Sequence, residues 1–147
     1  MSKLLSELTE LINSTNIANI KQPNTSLGKD DHVAGIMSED LRLMYGVWDS
    51  KREELVSLVK KLQHILIDHQ GEPKPPQEFL DSQAKLALLN SKVEALEALF
   101  WNSVRHEFPS IADKYSIGVR WGWKVVWKDD DRQHSGDFLA ILKKLLG

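Results

Sequence analysis

Apolar residues in this chain recur with two different periods. From Ser38 onward Leu41, Trp48, Leu55 and Leu62 stand seven residues apart, and Met44, Leu58 and Ile65 fill the seam between them, broken once by Lys51. That spacing predicts an amphipathic helix over 38–69. Tyr45, Val59 and Leu66 widen its apolar stripe. Glu39 and Asp40 fall in the first turn and Lys60 and Lys61 late, each where the helix dipole favours that sign of charge. Gly46 is a weak point, and Ser50-Lys51-Arg52-Glu53 reads as a capping box, so a kink or restart is expected there.

Gly71-Glu72-Pro73-Lys74-Pro75-Pro76 breaks the pattern with a semi-rigid connector. Pro76 suits the first position of a second helix over 77–108. There Phe79, Leu86, Val93 and Phe100 repeat every seven residues, with Leu89 and Leu96 between them, and Pro109 ends the run. Ser110-Ile111-Ala112-Asp113 can form one more short turn. Two arms of nearly equal length around a proline stop predict an antiparallel helical hairpin, each arm on the order of 45 Å long. Tyr45, Val59, Leu88 and Leu99 leave apolar surface beside both seams, to be covered by terminal helices or by a second copy of the chain, so a homodimer is expected.

Outside the hairpin, Leu4, Leu5, Leu8, Leu11 and Ile12 share one face of a short helix over 3–13, which Ser2 can cap. Residues 14–37 have mainly loop composition. A final helix is expected over 137–146, with Asp137 as cap and Phe138, Leu139, Ile141, Leu142 and Leu145 on its apolar side.

The second period is two. Ile117, Val119, Trp121, Trp123, Val125 and Trp127 alternate with Gly118, Arg120, Gly122, Lys124, Val126 and Lys128, which predicts β structure over 116–128. It is either one long strand or a hairpin turning at Gly122. Its backbone needs a partner, and the chain offers residues 16–21, His32-Val33-Ala34-Gly35-Ile36, the other half of a hairpin, or a second copy. Together the periods predict one α+β domain over 1–147: mainly α, a long antiparallel helical hairpin with short terminal helices and a Trp-rich β-strand or hairpin near the C-terminus.

Composition narrows the function classes. The 147 residues are 41% apolar and 27% charged, a globular mix, and the formal net charge of -2 gives no strong general attraction to nucleic acid or membrane. With no cysteine, disulfides, thiolate metal sites and cysteine nucleophiles are excluded. Glu7 and Glu10 interrupt the N-terminal apolar residues, and no run approaches the roughly 18 apolar residues of a membrane helix. A soluble, cytoplasmic protein is expected, so the sequons at Asn13 and Asn24 are read as chance.

Candidate chemistry is sparse. Arg120, Lys124 and Lys128 with Trp121 and Trp123 form a possible binding surface, since bases of a single-stranded nucleic acid stack on aromatics while cations follow phosphates. Against this, the pleat places the two sets on opposite faces, Asp129, Asp130 and Asp131 oppose the charge, and a Trp face packed on helices explains the pattern as well. His64 and Asp68, one turn apart and followed by His69, can begin a metal site, with Glu53 and Glu54 on the same helix. A carboxylate di-metal bundle, however, needs Glu-x-x-His, and Glu94-Ala95-Leu96-Glu97 carries Glu where His is required. His106 near a helix end is explained by the dipole, and the Asp129–Asp131 run lacks the spacing of a Ca²⁺ loop. No nucleophile-elbow, Walker or dinucleotide motif occurs, and no cofactor is implied. The residues therefore point to a non-enzymatic protein–protein interaction or assembly module, with nucleic-acid binding through the tryptophan segment, or a small metal enzyme using His64, Asp68 or His106, as alternatives.

Overall fold

The structure is a computed structural model and describes residues 3–114, 116–129 and 144–146. Its elements are α1 (Lys3–Ser14), β1 (His32–Ile36), α2 (Glu39–Asp68), α3 (Gln77–Glu107), β2 (Ile117–Arg120) and β3 (Lys124–Trp127), with short 3-10 turns at Ile17–Asn19 and Pro109–Ile111. With most of the described residues helical, two long helices packed together and one small antiparallel sheet, the class is α+β, as the two periods predict.

The long helices begin and end where local chemistry requires. Ser38 caps α2, its hydroxyl accepting from the Leu41 N–H at 3.3 Å. Pro76 precedes α3, and its carbonyl accepts from the N–H groups of Phe79 and Leu80. Arg105 and His106 occupy the last turn of α3, where positive charge is favoured. Lys60 and Lys61 do not serve α2 in this way, because the helix continues to Asp68. The heptad positions Leu41, Trp48, Leu55 and Leu62 on α2, and Phe79, Leu86, Val93 and Phe100 on α3, are all buried.

Two expectations are corrected. α2 does not restart at Ser50: Glu39–Asp68 is one helix. Gly46 gives room to Ile20, whose Cγ1 lies 2.8 Å from the place a Cβ would occupy. The seam is also rotated: Tyr45 and Val59, read as widening the stripe, are 4% and 3% exposed, whereas Met44 and Leu58 are only half-buried.

The chain divides into two compact units, Met1–Trp48 with Leu96–His134, and Asp49–Ala95 with Ser135–Gly147. In the first, an aromatic cluster packs the start of α2 on the end of α3. Trp48 stacks on Phe100 at 5.4 Å, while Tyr45 and Trp101 meet Phe100 at 5.7 and 4.9 Å. The same unit holds the sheet, ordered β1-β3-β2 and antiparallel throughout. Of the two forms expected for the β segment over 116–128 the chain takes the hairpin, and its partner is His32–Ile36, one of those the sequence offers, inside the segment read mainly as loop. Residues 17–19 form a 3-10 turn instead. As the central strand, β3 is covered on both sides, and Val125 and Val126 are both buried despite adjacent positions.

In the second unit, Lys61 of α2 reaches Glu78 of α3 at 3.7 Å, and the Leu145 carbonyl accepts from the Gln83 amide at 2.7 Å. Leu145 itself is buried. The rest of the expected 137–146 helix, its Asp137 cap included, lies outside the described residues, as does the Ser2 cap of α1.

Candidate binding surface

The hairpin turn at residues 121–123 places the tryptophan and basic residues singled out by the sequence. Gly122 has φ 86°, which the turn needs and a glycine adopts without strain. Trp123 follows at φ 60°, unusual for a bulky residue. Three backbone contacts hold this conformation. The Gly122 N–H donates to Gln22 Oε1 at 2.7 Å. The Trp121 N–H donates to the Thr25 carbonyl at 2.8 Å, and the Trp123 carbonyl accepts from the Met37 N–H at 2.9 Å. The loop before β1 and Met37 just after it therefore clasp the tip of the β2–β3 hairpin.

The five residues do not form one surface. Trp121 is open to solvent, 57% exposed. The Trp123 ring turns inward, edge-on to Tyr45 at 5.9 Å, with the Arg42 guanidinium 5.3 Å from its centroid. Arg120 spends its charge inside the fold: its Nε and a terminal nitrogen donate to Asp31 at 2.9 and 3.3 Å. The lack of a side chain at Gly118 leaves space for that guanidinium. Lys128 approaches the same carboxylate at 3.9 Å, and Lys124 lies half-buried along the turn.

Asp31 is the functional-looking residue that sequence reading missed. Its side chain is 1% exposed. Burial alone would push its carboxyl up, but hydrogen bonds from Arg120 and the Gly28 N–H, with the charges of Arg120 and Lys128, hold it below the ordinary carboxylate value of 3.8. The arrangement is a lock between the 28–31 turn and β2. At the other end of the hairpin, Trp127 stacks on His32 at 4.3 Å, with Lys114 Nζ 4.7 Å from its centroid. His32 Nε2 lies 3.2 Å from Asp129 Oδ2.

Among the described residues no three His, Asp or Glu side chains converge as metal ligands. His64, Asp68 and His106 are each exposed, and the neighbouring His69 pairs with Glu72 at 2.9 Å. Glu53 and Glu54 line a groove with Lys61 and Lys85. Among the described residues no helix is long and apolar enough to cross a membrane.

The fold and site define a class only: an α+β protein built on a helical hairpin. Compared with protein-family models, curated proteins and solved structures, the chain matches none.

Proposed function

We infer that this protein is a non-enzymatic assembly module that works through protein–protein contact, with self-association as its first mode. One observation carries the reading: the 49–95 part of the hairpin exposes Leu66, Ile67, Leu80 and Leu88 at 39%, 59%, 44% and 62%. Single exposed apolar residues are ordinary, and four within this part of one helical pair supply the apolar area that a partner would cover. Covering such area contributes about 25 cal/mol per Å². Size-exclusion chromatography with light scattering tests the inference: a dimer at micromolar concentration is expected, and a strict monomer contradicts self-association.

The nucleic-acid alternative draws on Trp121 alone for exposed stacking area, because Trp123 lies against Tyr45 and Arg120 is bound to Asp31. It predicts salt-sensitive quenching of tryptophan fluorescence by an oligonucleotide. Absence of quenching at low salt removes it.

A further inference from the structure

In the second unit a groove of about 680 Å³ opens between α2 and α3. Leu58 and Leu89 form its half-buried apolar floor, and Glu53, Glu54, Lys61 and Lys85 line it with charge.

The charges along α2 are ordered. Glu54 and Lys61 are seven residues apart, so they share one edge of the helix two turns from each other, and Ser57 and Leu58 lie midway between them. A helix set antiparallel to its own copy, about a two-fold axis at that midpoint, brings Glu54 of each copy opposite Lys61 of the other. Flanking ion pairs of this kind set partner and orientation in packed helices. The same axis brings the two Leu58 side chains together, so this edge of α2 is self-complementary in the Glu54 and Lys61 charges and in its apolar strip, as a two-fold interface requires.

The present partners of these charges do not oppose the exchange. Glu54 meets Lys51 at 3.0 Å with its side chain 53% exposed, and Lys61 meets Glu78 at 3.7 Å with its side chain 52% exposed. Exposed pairs contribute at most about 1 kcal/mol and are readily replaced.

We propose that this groove is a homodimer interface, in which a second copy docks α2 against α2 in antiparallel orientation about an axis passing between Ser57 and Leu58. The proposal rests on the assembly reading above for self-association, and takes its contact surface from the groove, whose lining is separate from Leu66, Ile67, Leu80 and Leu88. Its test uses the full chain and two kinds of variant. Glu54→Lys and Lys61→Glu should each weaken the dimer about tenfold in sedimentation equilibrium, since symmetry makes every change count twice. The combined E54K/K61E variant should restore it. Because the chain has no cysteine, Ser57→Cys supplies a single thiol beside the axis, and mild oxidation should link the two copies. Ser91→Cys, on an exposed position of α3 away from the groove, should not link them. A dimer indifferent to both charge reversals and not linked through Ser57→Cys would overturn the groove and leave the assembly reading standing. A monomeric wild-type chain would overturn both.

Discussion

At Asp31 burial pushes the carboxyl up while hydrogen bonds from Arg120 and Gly28, with the charges of Arg120 and Lys128, pull it down, and the lowering prevails. A carboxyl whose folded value lies below its unfolded value stabilises the fold above the unfolded value, and that contribution is lost as pH falls through the folded one. Stability should therefore decline as pH drops below the ordinary carboxylate value of 3.8. The difference between wild type and Asp31→Asn in urea denaturation isolates this share. Near neutral pH the variant should lose about 2 kcal/mol, because the Arg120 charge keeps only a neutral acceptor; the gap should narrow in acid. An equal gap at every pH would remove the electrostatic account. The sequence singled out Arg120 but not its partner, because Asp31 stands 89 positions away. Alternation along a strand reports which side a residue takes, not what waits there. Trp121 and Trp123 differ for the same reason: the backbone turn at Gly122 and the contacts from Gln22, Thr25 and Met37 send one ring out and the other in.

Element boundaries were more legible. The proline connector, the Ser38 cap and the Pro109 stop are local signals, and the period-two run contained its own turn at Gly122. Gly46 has a tertiary role that local reading does not show: a glycine inside a helix weakens it locally, yet here it admits Ile20. Gly46→Ala should consequently destabilise the protein by about 1 kcal/mol despite a helix-propensity gain of similar size, because a Cβ overpacks against that side chain. Combined with Ile20→Ala, the same change should become neutral or stabilising. A double-mutant cycle in urea checks it, and strict additivity would contradict the packing. The seam on α2 was misplaced by one position because a straight helix repeats at 3.6 residues and not 3.5, so a heptad pattern leaves open which flank is buried. Tyr45 faces the aromatic cluster with Phe100 and Trp123, and Leu58 is left on the groove side.

For the whole molecule, surplus apolar surface on the hairpin was legible as an excess of stripe over seam, but its location was not. The sheet, by contrast, satisfies β3 from within the chain, so the tryptophan segment needs no second copy to pair its central strand. On the hairpin the exposed large apolar residues are Leu66, Ile67, Leu80 and Leu88, while Leu27, Val33, Ile36 and Trp121 are exposed outside it, and self-association is the account's central claim. Light scattering on the size-exclusion peak of the full chain, across the micromolar range, tests it most directly. The account predicts a mass of twice the chain that falls toward one chain on dilution; a single-chain mass at every concentration would contradict it.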